Sequence, residues 1–293
     1  RGPLAGGRTR IECPTSQYLS SLLLAAPYAA EPVDIQVPLL NERPYVEMTL
    51  WWLASQEIRV ERSGWSHFRV PGGGRYRAFH AAVPGDYSSA TFPAVAAAVT
   101  GGRVSLEGLS PDDPQGDKAV LDILREMGCS VARSTDTPNS VTVTGPAGAR
   151  GSQGARALHG GEFDLNAIPD ALPALTVAAC FADSSTTLYN VPQARAKETD
   201  RVAVIAEELE KLGASIKQRE DGLVVYPRPA PLSGGAVSGH HDHRVVMALA
   251  VAGLAAGGPV TIDGAEAAEV TYPGFFDDLR RLIGAETGRD SGS

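Results

Sequence analysis

Three runs of this chain combine residue types and spacings suited to ionic chemistry. In Gln193-Ala-Arg195-Ala-Lys197-Glu198-Thr199-Asp200-Arg201, a lysine, a glutamate and an arginine stand at i, i+1 and i+4, directly after a strand-like segment. At that spacing two cations and a carboxylate can reach one pocket, whereas the plain reading of a charge run is a solvated face. Asp242-His243-Arg244 precedes the almost wholly apolar stretch 245–256. An ionic tripeptide held against a buried helix must be paired or must face a ligand. The third run, Asp164-Leu-Asn166-Ala-Ile-Pro-Asp170, offers two carboxylates and an amide ahead of another apolar stretch. Two further polar groups occupy similar positions, Thr15-Ser16-Gln17 and Asp86-Tyr-Ser88-Ser89. Helix N-termini leave backbone N–H groups unpaired and carry partial positive charge, so they receive anions readily. The competing explanation is helix capping, which suffices for Asp86, Ser88 and Ser89. His240, His241 and His243 lack the i, i+4 spacing of helical metal sites and no carboxylate–cysteine set accompanies them, so no metal is expected.

These groups recur because the chain repeats. Strands of alternating residues are centred on Ile35, Leu106, Leu188 and Ile262, at intervals of 71, 82 and 74 residues. Each follows an alanine-rich apolar stretch and a short Gly, Pro or Ser break. Three are followed by an amphipathic helical stretch (44–55, 117–128 and 199–213) and a second β-rich run, and the last stops after a helix at 275–284. Within 199–213, Val202, Ile205, Leu209 and Leu212 recur at helical spacing, Thr199 is the expected N-cap and Gly213 the stop. The first repeat reads as strand 8–12, helix 16–29, strand 33–37, helix 45–55 and strands 58–63 and 66–70. A Pro84-Gly85 break marks the expected boundary between a domain at 1–83 and one of three repeats at 84–285, and 286–293 reads as a disordered tail.

Composition narrows the classes. Hydrophobic residues make up 43% and charged residues 20% of 293 positions, ordinary for a globular protein. No run approaches the ~18 uninterrupted apolar residues of a membrane span. Three widely spread cysteines, Cys13, Cys129 and Cys180, fit buried thiols in a reducing, cytoplasmic compartment rather than a disulfide or zinc framework. A formal charge of −8 argues against nucleic-acid binding. A small anionic substrate would need a local cationic pocket.

Taken together and in order, Thr15-Ser16-Gln17-Tyr18-Leu19, Pro44-Tyr45-Val46-Glu47-Met48-Thr49, Gly85-Asp86-Tyr-Ser-Ser-Ala90, Asn166-Ala-Ile-Pro-Asp170, Lys197-Glu198-Thr199-Asp200-Arg201 and Asp242-His243-Arg244 resemble the 5-enolpyruvylshikimate-3-phosphate synthase family. The resemblance runs along nearly the whole chain. It implies an α/β fold of the α+β type, built from βαβαββ units in two lobes with the active site in the cleft between them. Residues 1–83 would be the last unit of one lobe and 84–285 the whole of the other, with two units of the first lobe lacking; the chain would then be a fragment, a half that depends on a separate N-terminal part or on self-association, or a reduced relative. The implied reaction joins phosphoenolpyruvate to the 5-hydroxyl of shikimate 3-phosphate and releases phosphate, with no cofactor. Carried over by position, Asp170 lies near the reacting hydroxyl and Glu198 assists proton transfer. Lys197 contacts the shikimate moiety, Arg201 and Arg244 hold phosphoenolpyruvate, and Thr15, Ser16 and Gln17 cradle shikimate 3-phosphate.

Three positions depart from the family pattern. Gln193 stands where the family has Asn, a longer amide that must fold back to make the same contact. Glu42 stands where a Ser near the substrate phosphate is usual, with Arg43 beside it to neutralise the carboxylate. Val270 stands at the position of a Lys. These departures fit an alternative, a diverged relative with another acceptor or no turnover. The ionic groups Asp170, Lys197, Glu198, Arg201 and Arg244 favour the transferase. A UDP-N-acetylglucosamine enolpyruvyl transferase or a purely structural interaction protein fits less well.

Overall fold

A computed structural model describes residues 4–147 and 158–287. The described residues fall into two compact units, 4–83 with 112–116, and 84–111 with 117–147 and 158–287.

The first unit runs β1 (Gly7–Arg10), α1 (Gln17–Ala25), β2 (Val33–Gln36), α2 (Arg43–Ser55), β3 (Glu61–Ser63) and β4 (His67–Val70). Its sheet has the order β1-β2-β4-β3, with β1 parallel to β2 and both other pairings antiparallel. Parallel neighbours need a crossover, and α1 supplies it. Leu19 and Leu23 of α1, four apart, pack with Val46 and Leu53 of α2 against Ile35, Phe68 and Val70 of the sheet. The expected first helix is shorter than 16–29: it ends at Ala25, and Pro27 lies in a 3-10 turn over Ala26–Tyr28. Residues 58–60 precede β3 rather than forming it.

In the second unit α3 (Tyr87–Thr100), β5 (Arg103–Leu106), α4 (Ala119–Glu126), β6 (Ser130–Arg133) and β7 (Val141–Thr144) form one repeat, with sheet order β5-β7-β6. Next come β8 (Glu162–Asp164), α5 (Leu172–Cys180), β9 (Thr186–Tyr189), α6 (Arg201–Lys211), β10 (Ile216–Arg219) and β11 (Gly222–Val225). Their order β8-β9-β11-β10, with β8 parallel to β9 and the rest antiparallel, reproduces the sheet of the first unit strand for strand. The last repeat, β12 (Gly235–Ser238), α7 (His243–Ala255) and β13 (Val260–Asp263), keeps the parallel pair and closes with α8 (Phe275–Thr287).

Helices α3, α5 and α7 explain the alanine-rich stretches. They are apolar around almost their whole circumference, nearly all their residues are buried, and they pack on one another. Small side chains allow close approach, and a helix without a polar face must lie inside. Helix α6 is amphipathic and covers this bundle with Val202, Ile205 and Leu209.

Several local expectations change. The cap of α6 is Asp200, whose carboxylate accepts from the Ala203 N–H at 3.0 Å; Thr199 is diverted to a tertiary contact. Gly213 does follow the helix end, with φ +91°. Helix α8 continues to Thr287, so Glu286 and Thr287 belong to it rather than to a disordered tail, and 288–293 lie outside the described residues. No described helix is long and apolar enough to cross a membrane. All three cysteines are free thiols.

Candidate functional site

The N-terminal ends of α3, α5, α6 and α7 supply one ionic cluster. Three of these helices form the buried bundle and the fourth flanks it, so their first turns bring together residues far apart in sequence. Asp170 lies in the 3-10 turn Pro169–Ala171 that leads into α5. Its Oδ1 accepts from Arg201 at 2.8 Å and lies 3.7 Å from Lys197 Nζ, and its Oδ2 is 3.0 Å from Arg244. Burial by itself would raise the Asp170 pKa. The charges of Arg244, Lys197 and Arg201 outweigh it and hold the carboxyl below the usual range.

Arg201 is the hub. Its side chain is 1% exposed, and its guanidinium donates to Asp242 Oδ2 from Nε at 2.8 Å, to Asp170, and to Glu198 Oε2 at 2.5 Å. Burial would lower its pKa, but Asp170, Asp242 and Glu198 raise it on balance, so it stays charged. Asp242 is completely buried and caps α7 by accepting from the Arg244 N–H at 2.9 Å, while Thr199 donates its hydroxyl to Oδ2 at 3.1 Å. Burial pushes its pKa up and Arg201 pulls it further down, leaving it below the usual range. Burial, with Arg244 and Arg201 nearby, lowers the pKa of His243, which is therefore neutral at pH 7.

Arg244 has donor capacity left. It donates to the Ser88 hydroxyl at 2.6 Å, and its buried Nε–H has no hydrogen-bond partner among the described residues. Gln193 is also buried. Its Nε2 donates to the Asn166 carbonyl at 3.1 Å, and its Oε1 has no hydrogen-bond partner among the described residues. Unsatisfied buried polar atoms are uncommon and costly, and the Arg244 and Gln193 atoms are two of the three among the described residues, with Thr186 Oγ1. Lys197, Glu198, Arg201, Asp170 and Arg244 are thus brought together.

The first unit holds a separate polar group. Glu42 is buried, and its Oε2 accepts from Thr15 Oγ1 at 3.1 Å, the Ser16 N–H at 2.9 Å and Ser16 Oγ at 2.8 Å. Its backbone is left-handed, with φ 57° and ψ 41°, and it stands at the N-cap position of α2, two residues ahead of Pro44, without a side-chain cap hydrogen bond. The donors of the Thr15–Ser16 turn therefore hold an anion that the chain itself supplies. Gln17 opens α1 and is exposed. The Arg43 guanidinium lies 5.8 Å from the centroid of the Trp65 ring. Val270 is 74% exposed, at the end of the 3-10 helix Ala265–Val270.

Two participants were missed in the sequence. Ser88 reads as part of a cap, and the Asp86 carboxylate does accept from the Ser88 and Ser89 N–H groups, but the Ser88 hydroxyl also meets Arg244, 156 residues away. Thr199 reads as a helix cap and instead touches Asp242. Its position at the break between a charge run and a helix was the available signal. Among the described residues no group of three or more His, Cys, Asp or Glu could hold a metal ion.

Comparison with known proteins agrees with this architecture. The family profile described as EPSP synthase (3-phosphoshikimate 1-carboxyvinyltransferase) matches residues 2–279. The chain is 48% identical to a 3-phosphoshikimate 1-carboxyvinyltransferase of Ruminiclostridium cellulolyticum, over 97% of this chain and 64% of the relative. It is 49% identical to that of Acetivibrio thermocellus, over 96% and 63%. The solved EPSP synthase of Acinetobacter baumannii superposes with a TM-score of 0.75 at 28% identity, over 95% of this chain and 63% of that one. The chain therefore spans under two thirds of the length of these relatives. A profile match over almost the whole sequence, a shared fold and the repeated βαβαββ sheets place this chain in the EPSP synthase family.

Proposed function

We propose that this chain serves enolpyruvyl transfer from phosphoenolpyruvate to the 5-hydroxyl of shikimate 3-phosphate, with release of phosphate, in the shikimate pathway of aromatic amino acid biosynthesis. The observation that carries the reading is the Asp170 carboxylate ringed by Lys197, Arg201 and Arg244. In the first step the hydroxyl oxygen adds to C2 of phosphoenolpyruvate, its proton leaves, and a proton is added to the methylene carbon C3. In the second, C3 gives up a proton as the C2–O bond to phosphate breaks. Both steps need a proton acceptor, a proton donor and fixed cations for the developing charge.

Asp170 takes the hydroxyl proton and Glu198 shuttles the proton at C3. With Arg244, Lys197 and Arg201 around it Asp170 is a weak base, because the three cations depress its pKa. An anionic ligand on Lys197 and Arg244 offsets those charges and raises the proton affinity of Asp170, so binding of phosphoenolpyruvate prepares the base. Arg201, saturated by its own carboxylates, holds Asp170 and Asp242 in place and adds to the field on phosphoenolpyruvate. Gln193 Oε1 accepts from an acceptor hydroxyl. Thr15, Ser16 and Gln17 receive the phosphate of shikimate 3-phosphate, which must displace Glu42 from the same donors. The lobe assignment follows: 1–83 is the last unit of the shikimate-phosphate lobe, and 84–285 the other lobe. Free cysteines fit a cytoplasmic setting.

The test is calorimetric titration of the chain with shikimate 3-phosphate, with and without phosphoenolpyruvate, beside a phosphate-release assay. Binding that tightens when both ligands are present is expected. Absence of binding to either ligand overturns the assignment.

A further inference from the structure

The buried carboxylate of Glu208 lies outside the cluster and has no part in the chemistry above. Glu208 stands on α6 two turns after Arg201, with its side chain 1% exposed. Oε2 accepts from the Ser238 N–H at 2.9 Å, and Oε1 is 2.7 Å from His240 Nε2. Lys211 Nζ donates to both oxygens, at 2.7 and 2.8 Å. Burial would raise the Glu208 pKa, but these hydrogen bonds hold it below the usual range, so the carboxylate remains charged. An apolar residue would fill such a place at lower cost unless the charge does something.

What it touches is the turn that delivers Asp242 and Arg244. Ser238 ends β12, and the next residues enter α7. His240 and His241 are both left-handed, with φ 50° and 58°, a conformation that disfavours non-glycine residues and persists only where the surroundings fix it. The turn is pressed against its neighbours: a Cβ on Gly239 would come within 2.2 Å of Val246 Cγ2. The Gly239 N–H donates to the Asp263 carbonyl, and the Asp242 N–H to that of Gly239. Helix α6 thus grips the turn twice, with Arg201 on Asp242 and with Glu208 on Ser238 and His240.

We propose that Glu208 is a positioning residue, acting through His240 and the Ser238 N–H to hold the 239–242 turn in the strained form that aims Asp242 at Arg201 and Arg244 at Asp170. Its effect on ligand binding rests on the reading of Arg244 as a ligand cation; its effect on the geometry does not.

The test uses the 15N-labelled chain with phosphoenolpyruvate as probe, following hydrogen exchange at Arg244 Nε and the dissociation constant. Glu208→Gln removes the charge at constant shape. His240→Gly removes the clamp while relieving the left-handed strain, at a side chain 37% exposed, and is expected to keep the fold, checked by circular dichroism. Both are expected to speed Arg244 Nε–H exchange and weaken binding about tenfold, the scale of one hydrogen bond. Lys211→Met, which removes a Glu208 partner outside the turn but leaves the contacts with Ser238 and His240, is expected to move both readouts less than Glu208→Gln. Wild-type exchange in Glu208→Gln and His240→Gly overturns the clamp. Faster exchange in both, with no phosphoenolpyruvate binding even in the wild type, upholds the clamp and overturns the ligand reading of Arg244.

Discussion

The two polar groups of this chain solve opposite electrostatic problems. Around Arg201, cations and carboxylates alternate: Asp170, Glu198 and Asp242 satisfy one buried guanidinium, while Lys197 and Arg244 add positive charge at the margin. Around Ser16, neutral donors converge on one carboxylate oxygen, that of Glu42. The first is a network in which removing one member strands several others. The second is a cradle whose anion can be exchanged for another. A buried arginine is therefore expected to matter for stability, and a buried glutamate in a donor cradle for ligand competition.

The largest effect expected from breaking this contrast is that of Arg201→Met. It leaves Asp170 and Asp242 without their shared cation and should lower unfolding free energy by about 3–5 kcal/mol, read by urea denaturation. A loss under about 1 kcal/mol would mean that the carboxylates relax to solvent and the hub is dispensable. Glu42→Ser tests the other side. Freed donors should bind shikimate 3-phosphate about tenfold more tightly, or ~1.4 kcal/mol, in calorimetry. Glu42→Gln, which removes only the charge, should recover part of the gain, and unchanged affinity in both would remove Glu42 from the phosphate path.

The pH dependence sharpens the comparison because the shifted groups belong to the network. Asp170 and Asp242 have folded pKa values below their ordinary 3.8, so the stability they contribute is complete above that value and is lost as pH falls through the depressed folded values. His243 is also depressed, below 6.5, which for a histidine means that the unfolded chain takes up a proton the folded chain refuses. Stability should thus decline in two stages on acidification, a shallow one starting near pH 6.5 and a steeper one below pH 3.8. Denaturation midpoints measured across pH check this, and His243→Gln should flatten the first stage alone. The smallest effect is expected at exposed Val270: Val270→Lys should change stability by less than about 0.5 kcal/mol in the same assay.

Much of the fold could be read from the residues. The strands centred on Ile35, Leu106, Leu188 and Ile262 are β2, β5, β9 and β13, and the alanine-rich stretches are buried helices, because two-residue alternation and unbroken apolarity are local signals. The grouping of Lys197, Glu198 and Arg201 was accessible from their closeness in sequence, although only Arg201 of the three lies in α6. The cap of α6 was not. Both Thr199 and Asp200 suit that role, and Asp242, 43 residues away from Thr199, draws the threonine hydroxyl into the network. The end of α8 extended past the expected stop because nothing local forbids helix through Gly284.

The sequence by itself determined the repeat, the helix and strand periods, and which polar residues sit at the turn into each helix, since these depend on neighbours within a few positions. Only the tertiary structure decided which of those turns meet. Packing α3, α5 and α7 side by side brings Ser88, Asp170 and Arg244 to one place, and folding α2 beside α1 sets Glu42 on the Ser16 donors. Those pairings depend on how whole elements bury their apolar faces against one another, which no local spacing specifies.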